Sequence, residues 1–294
     1  MTTRKILAVL HSLPTWGGLG WGLLFLLAAC QQAPNLDGLE DDEGNVMLMF
    51  SASDATRSGL DDYFSKLNVM LFNEAGEKAF SKVKTQVMSD DGFGTMSFTL
   101  SPGTYTVVAV GHSSAKSATI KSPTDVRFTA TDGEKLTDTF ACCEKIEITE
   151  EPTQHSLLMQ RATAMFRLVL TDAEIPPAAT HIKFDYSGGS ANFNPTTLEG
   201  ITKSTQSESR VIEGNTYDIF TFPYYASDGL LKVTVTALAA DGSVVAQQVF
   251  EGVEVTRNMI TTYKGPLFSG GNITQEGVGF HVNDDWAGES FHEF

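Results

Sequence analysis

The fold class is decided by the stretch Gly94-Thr95-Met96-Ser97-Phe98-Thr99-Leu100-Ser101-Pro102-Gly103-Thr104-Tyr105-Thr106-Val107-Val108-Ala109-Val110. Its two ends are rich in β-branched and aromatic residues, which favour extended strands. Between them lies Ser101-Pro102-Gly103, where Pro fixes φ and Gly accepts a positive φ, as a tight turn requires. The stretch therefore predicts two strands joined by a turn.

Runs of the same kind continue on both sides and form two groups. The first group adds the runs 46–50, 67–72, 126–130, 145–149 and 156–159, which makes about seven strands, the number typical of a β-sandwich. The second group comprises 161–170, 180–186, 211–212, 217–222, 230–238, 244–250, 259–267 and 278–282. A hairpin is predicted at Ala240-Asp241-Gly242-Ser243, and the one helix candidate is 59–66. We therefore expect an all-β protein of two tandem β-sandwich domains, 46–158 and 159–294, with the boundary in the region 150–160 that begins at Glu150-Glu151-Pro152.

Residues 1–29 have the layout of a secretory signal. Arg4 and Lys5 precede a long apolar stretch, which ends in Leu27-Ala28-Ala29-Cys30. This ending resembles the bacterial lipobox, in which the Cys thiol is acylated and the Cys becomes the first residue of the mature chain. An uncleaved membrane anchor is the alternative, because residues 6–29 are long enough to span a bilayer. His11 and Pro14 weaken that alternative, and both place the remaining residues outside the cytoplasm.

The residues after Cys30 are expected to form an acidic tether. Residues 30–45 are polar, rich in Asp and Glu and without apolar periodicity. Gln31 next to the acylated Cys is similar to the outer-membrane sorting signal of Gram-negative lipoproteins, and the acidic run resembles the surface-export signals of Bacteroidetes. The whole chain carries a net charge of −16. Such a surface repels nucleic acid and anionic lipid, so neither is an expected partner.

No constellation in the sequence predicts catalysis, a cofactor or a metal site, and we expect a protein that is not an enzyme. Ser113-Ser114-Ala115-Lys116 matches the S-x-x-K motif of serine β-lactamases, but the other elements of those enzymes are missing. The histidines are scattered without ligand spacing. Cys142 and Cys143 are adjacent, which disfavours a disulfide between them, so one is expected inside and the other near the surface.

The order of the pieces resembles the FimB/Mfa2-like fimbrial subunit family of Bacteroidales, the type V pilus proteins. A lipobox Cys and an acidic spacer precede Val46-Met47-Leu48-Met49-Phe50 and Leu67-Asn68-Val69-Met70-Leu71-Phe72-Asn73-Glu74-Ala75-Gly76. Residues 100–109 match the family's "L-x-x-G-x-Y-x-x-x-A" hairpin. Residues 161–170 at the domain junction match as well, and residues 257–265 are similar to its "RN-x-x-T-x-x-x-G" strand.

This resemblance implies two transthyretin-like sandwiches, a position in the outer membrane and fimbrium, and assembly with other fimbrial subunits by strand exchange. Shaft pilins of the family lose their first strand to an arginine-directed protease, whereas an anchor keeps its acylated N-terminus. The first strand, 46–50, would then fill its own groove, and a C-terminal strand with Val278, Phe280 and Val282 is the candidate donor to a neighbour. Processing at Arg57 is the alternative and would produce a polymerising stalk or tip pilin.

A second alternative is a surface glycan-binding lipoprotein with tandem β-sandwiches. It would use exposed aromatic side chains in place of an exchanged strand. Tyr224, Tyr225 and Trp286 are the candidates for stacking on sugars.

Overall fold

The protein is built almost entirely from strands. The computed structural model describes residues 44–52, 59–129, 136–226, 229–269, 281–283 and 286–294. Its strands are, in chain order, β1 Val46–Ala52, β2 Lys66–Asn73, β3 Lys84–Val87, β4 Thr95–Phe98, β5 Gly103–His112, β6 Thr119–Ser122, β7 Asp125–Arg127, β8 Phe140–Ile148, β9 Thr153–Arg161, β10 Ala164–Leu170, β11 His181–Ser190, β12 Asn192–Asn194, β13 Glu199–Gly200, β14 Lys203–Val211, β15 Thr216–Thr221, β16 Leu230–Leu238, β17 Val244–Glu254, β18 Met259–Gly265, β19 His281–Asn283 and β20 Trp286–Glu293. The predicted all-β fold class is confirmed.

Helix is confined, in the described ranges, to one 3-10 turn at Leu60–Asp62. The predicted helix over 59–66 is therefore wrong, because Lys66 already begins β2. None of the helical structure in those ranges is long and apolar enough to cross a membrane.

The first sandwich is formed by β1–β5, β8 and β9. These strands make a seven-stranded sheet of order β3-β2-β5-β8-β9-β1-β4, which turns back on itself where β8 meets β9. Its inward side chains form the first core, with Leu48 of β1, Val69 of β2, Ala109 of β5 and Leu157 of β9 all 2% exposed or less. Burial alternates along β1, since every second residue lies in the core.

The second sandwich repeats the strand connectivity of the first. It consists of a sheet of order β14-β11-β16-β17 facing one of order β15-β10-β18-β20-β19. In both sandwiches the first strand pairs antiparallel with the fourth and parallel with the last, and the remaining strands pair in the same order. The correspondence is β1 to β10, β2 to β11, β3 to β14, β4 to β15, β5 to β16, β8 to β17 and β9 to β18.

Two insertions join the halves through a small sheet of order β13-β12-β7-β6. Under it lies a shared core that includes Met70 and Phe72 of β2 together with Phe193 and Phe222 of the second half. This explains why the run Leu67 to Phe72 is apolar on both faces except at Asn68: one face of β2 lies in the first core and the other in the shared core. The described residues lie within one compact unit, Asp41–Phe294, and the division between residues 158 and 159 stays a prediction.

The structure corrects two predicted details and confirms a third. The turn at Ser101-Pro102-Gly103 does not close a hairpin, because β4 pairs with β1 whereas β5 pairs with β2 and β8. The short strand expected at 211–212 is only the end of β14. The hairpin at Ala240 to Ser243 is confirmed between β16 and β17.

Candidate strand-pairing site

The residues predicted to act in assembly lie mostly outside the described parts of the chain. Cys30, Arg57, Val278 and Phe280 lie outside the described residues. Val282 lies in β19, which pairs antiparallel with β20 at the edge of the five-stranded sheet. The expected strand 278–282 is thus described only from His281 onward, and the strand that follows it, β20, is absent from the prediction.

β1 lies inside the first sandwich and is paired on both sides. It runs antiparallel to β4 and parallel to β9, and all seven of its residues pair with β9. Val46, Leu48, Phe50 and Ala52 are buried in the first core. Burying a side chain such as Val, Leu or Phe stabilises a fold by about 1.5–3 kcal/mol. The first strand therefore contributes strongly to the sandwich that contains it.

β20 extends the second sandwich as an additional parallel strand. It pairs with β18 over Met259 to Lys264, and Phe294 at its end packs edge-to-face on Phe250 of β17 at 4.9 Å. The ring of His292 stacks on Tyr263 at 4.5 Å. Buried Glu289 accepts a hydrogen bond from Thr262 Oγ1. The C-terminal strand is thus docked in its own domain by both main-chain and side-chain contacts.

The sequence Arg257-Asn258, noted above as part of a motif, forms the corner that receives β20. Asn258 has a positive φ of 60°, a conformation that Asn tolerates better than most residues. Its carbonyl oxygen accepts a hydrogen bond from Ala287 N (2.8 Å), and Arg257 Nη1 donates to the Arg161 carbonyl oxygen (2.9 Å). Gly265, the last residue of the motif, leaves room for the Phe294 main chain, which a Cβ would overlap. Three of the four motif positions thus hold the C-terminal strand or the corner before it.

Arg161 connects this corner to the first sandwich. It is 2% exposed, and its guanidinium lies between the rings of Phe140 (4.6 Å) and Trp286 (4.0 Å). Arg161 Nε pairs with the Asp138 carboxylate at 2.9 Å, and Nη1 donates to Asn258 Oδ1 at 2.8 Å. A buried guanidinium is stable only when it is paired and hydrogen-bonded in this way. Arg161 therefore ties β9, β20 and the Asn258 corner into one cluster.

The other candidate residues do not assemble into a site within the described chain. Ser113 and Lys116 are exposed on the loop after β5, as a solvated loop requires. Cys142 is buried and Cys143 partly buried, and both are free thiols, in line with the expectation from their spacing. No three His, Cys, Asp or Glu side chains of the described residues are placed to hold a metal ion.

The aromatic candidates for glycan stacking differ in how much of each side chain is exposed. Tyr225 is 47% exposed, and its hydroxyl oxygen accepts a hydrogen bond from Arg257 N at 3.3 Å. Trp286 is 7% exposed and covered by Arg161, Met165 and Ile260. These side chains do not form the exposed row that a sugar-binding surface would need.

Comparison with known proteins identifies the family. The model for fimbrillin-A associated anchor proteins Mfa1 and Mfa2 matches residues 39–244. No curated protein matches the chain significantly.

Solved structures with a similar fold include the fimbrial anchor protein Mfa2 from Porphyromonas gingivalis, at 15% identity over 71% of this chain and 82% of that chain with a TM-score of 0.41. A fimbrial assembly protein from Parabacteroides distasonis has 11% identity over 77% and 92%, with a TM-score of 0.41. A candidate polysaccharide-binding protein from Bacteroides thetaiotaomicron has 11% identity over 69% and 78%, with a TM-score of 0.48. At these values the structural likenesses carry no argument about function, whereas the family model covers most of the chain. The chain belongs to the family of fimbrillin-A associated anchor proteins Mfa1 and Mfa2.

Proposed function

We propose that this protein is the lipid-anchored subunit of a type V fimbria and has no catalytic role. In this proposal, acyl chains on Cys30 hold the protein in the outer membrane, and neighbouring fimbrial subunits attach to it by strand exchange. Two acyl chains make attachment stable, since each buried methylene contributes about 0.8 kcal/mol. Membership of the anchor-protein family supports the fimbrial role.

The observation that carries the anchor role is the position of β1. A subunit that polymerises by losing its first strand exposes unpaired main chain and apolar side chains for the next subunit to cover. Here β1 pairs with both β4 and β9, and its inward side chains complete the first core. Cleavage after Arg57 would separate β1 from the rest of the chain. A subunit that keeps β1 instead keeps its lipid attachment and its own core.

The N-terminus of the protein in fimbriated cells tests this proposal. Intact mass and N-terminal sequencing of the membrane-bound protein are expected to give a chain that begins at an acylated Cys30. Cys30→Ala is expected to release the protein from the membrane, whereas the matched variant Cys143→Ala is expected to leave it there. A mature chain that begins at Ser58 would show instead that this is a polymerising pilin.

We also propose that residues Val278, Phe280 and Val282 donate a strand to the neighbouring subunit. Deleting residues 277–294 would remove β20 as well, whose Trp286 and Phe294 are buried in the second sandwich. The sharper test replaces Val278 and Phe280 by Asp and leaves β20 intact, with Glu293→Gln on the exposed end of β20 as the control. Fibres are expected to detach from cells while the lipoprotein stays in the membrane. Unchanged fibre attachment would exclude this segment as the donor.

A further inference from the structure

The repeated strand order of the two sandwiches differs at one edge. In the second sandwich β18 pairs with β10 on one side and with β20 on the other. The corresponding strand of the first sandwich, β9, pairs with β1 on one side. On its other side, the described residues provide a partner only at its end, where Phe140 and Ala141 of β8 lie opposite Arg161 and Gln160. The edge of β9 from Thr153 to Met159 therefore lacks the strand that β20 supplies to β18.

The hydrogen-bonding register shows which main-chain groups this edge presents. Thr153 N donates to Asn45 O at 3.0 Å, so the odd-numbered residues of β9 turn their main-chain groups towards β1. Because these groups alternate in direction along a strand, those of Gln154, Ser156 and Leu158 point away from β1. On β18 it is also the even-numbered residues that face β20, as the bond from Phe294 N to Lys264 O shows.

The sequence of this edge lacks the features that normally prevent strands from pairing with other chains. Exposed edges are commonly protected by charged residues, Pro or bulges. From Thr153 to Gln160 the chain contains no Asp, Glu, Lys, Arg, Pro or Gly, and its pairing with β1 runs without a register shift. Leu158 on the outer face is 47% exposed. An edge that is uncharged, regular and partly apolar is suited to pairing.

The surroundings of the edge also contain space and unmet hydrogen-bonding groups. A cavity of about 120 Å³ lies between β8, β9 and the segment 195–198, lined in part by Cys143, Leu158 and Gln160. Thr153 Oγ1 and His155 Nε2 are buried without a hydrogen-bond partner among the described residues.

We propose that the β9 edge, Thr153 to Met159, accepts the terminal strand of a partner fimbrial subunit, parallel to β9 as β20 is parallel to β18. This inference rests on the proposed fimbrial role and adds a second point of contact, separate from the groove that β1 fills. Trp286 and Phe294 are buried and His292 stacks on Tyr263, so the incoming strand is expected to carry large apolar or aromatic residues among its inward positions, as β20 does. A second copy of this chain is not the expected donor, because its own β20 is docked on its own β18.

Site-specific photo-cross-linking in fimbriated cells tests this inference on the full chain. A benzophenone amino acid at Leu158 is expected to form an adduct with a fimbrial subunit, and mass spectrometry is expected to place the adduct in that subunit's terminal strand. The control position is Val211, which is 57% exposed at the end of β14. An adduct in the interior of a subunit, an adduct with a second copy of this chain, or no adduct above the control would overturn the inference.

Ser156→Pro tests the role of the main chain. It removes one N–H that points away from β1, a position where an edge strand tolerates Pro. The adduct yield is expected to fall about tenfold, because a lost hydrogen bond and a misfitted strand together weaken pairing by about 1.4 kcal/mol. Ser156→Val, which keeps the N–H, is expected to retain the yield, and an unchanged yield with Pro would overturn the inference.

If the Pro variant does not fold, Leu158→Lys with the photo-reactive residue at Gln154 replaces it and is expected to lower the yield in the same way. Failure of the inference can be told from failure of the proposed function. Fimbrial subunits that co-purify with the chain while the β9 edge gives no adduct would refute the edge alone. A wild-type chain with no attached fimbrial subunit would refute the proposed function.

Discussion

His112 at the end of β5 is fully buried and neutral. Its Nδ1 accepts a hydrogen bond from Ser114 N (3.1 Å), so Nε2 carries the proton and donates to Asn68 Oδ1 (2.8 Å). Burial, aided by the charge of nearby Lys66, lowers the pKa of His112 to about 4. The unfolded chain therefore binds a proton near pH 6.5 that the folded chain binds only near pH 4. Stability contributed by neutral His112 is complete above pH 6.5 and is lost as the pH falls towards 4.

Between pH 7 and pH 5 this loss is expected to be about 2 kcal/mol, since each pH unit between 6.5 and 4 is worth about 1.36 kcal/mol. Urea unfolding of the wild type and of His112→Gln at pH 7 and pH 5 measures it. The wild type should lose more stability than the variant between these values, and the difference isolates His112 from other titrating groups. Equal losses would mean that His112 does not titrate in this interval.

Arg161 is the residue whose removal should disturb the C-terminal strand most directly. Arg161→Met leaves Asp138 without its ion-pair partner and takes the guanidinium off the Trp286 ring. Breaking a buried pair from one side costs about 3–5 kcal/mol. Trp286 is the only Trp beyond residue 29, so the intrinsic fluorescence of a chain produced from residue 30 onward reports on this contact. Denaturant unfolding followed by fluorescence should show both the lower stability and a red-shifted native emission.

The double variant Arg161→Met, Asp138→Asn serves as the control, because it removes both charges. It should recover part of the lost stability while the emission stays red-shifted. A single variant as stable as the wild type would mean that the ion pair contributes nothing at this junction.

Among the elements, strands whose sequence alternates between apolar and polar residues were predictable. β16 is of this kind, because its inward residues are apolar and its outward ones are mostly not. β1 was predictable instead as a short apolar run, since Met47 and Met49 on its outward face are apolar as well. β20 was missed because Gly288, Glu289 and His292 have no apolar alternation. Each is accommodated by a distant partner: Met259 for the glycine, Thr262 for the carboxylate and Tyr263 for the imidazole.

A local sequence pattern also cannot predict which other strand a given strand pairs with. The run from Gly94 to Val110 correctly predicts two strands, yet Pro102-Gly103 leads from β4, at one edge of the seven-stranded sheet, to β5 in its interior instead of closing a hairpin. The motif Arg257-Asn258 was visible in the sequence, but its role depends on Arg161 and Ala287, which are far away in the chain. The candidate site could therefore be predicted only as a set of motifs, without its geometry.

Docking of β20 depends on the absence of a side chain at Gly265. A Cβ there would overlap the carbonyl group of Phe294, which is main chain and cannot rotate away. Gly265→Ala is expected to displace the end of β20 and to cost about 1–3 kcal/mol, the usual range for overpacking. In a chain that lacks Phe294 the same substitution should cost nothing, because the clash is gone. Chemical denaturation of the four combinations measures the coupling, and equal costs in both backgrounds would contradict the proposed clash.

At the scale of the whole molecule, the shared core should make the two sandwiches unfold together. Phe193 stacks on Phe222 at 4.3 Å, and Phe128 of the first half lies 5.9 Å from Phe222. The chain contains a probe in each half: Trp286 fluorescence reports on the second sandwich, and the reactivity of the buried Cys142 thiol reports on the first. In the mature chain with Cys30 and Cys143 replaced by Ser, both probes are expected to change at the same denaturant concentration.

Two variants separate a shared transition from two independent ones. Phe184 lies in the second core alone. Phe184→Ala is expected to lower the free energy of unfolding by about 3–5 kcal/mol and to lower the denaturant midpoints of both probes equally. Phe193→Ala lies in the shared core and should separate the two midpoints, because the contact between the halves is weakened. If Phe184→Ala moves only the Trp286 midpoint, the sandwiches are energetically independent. Pulling on the two ends of the chain would then unfold one sandwich without the other, whereas a coupled pair would resist as a single unit.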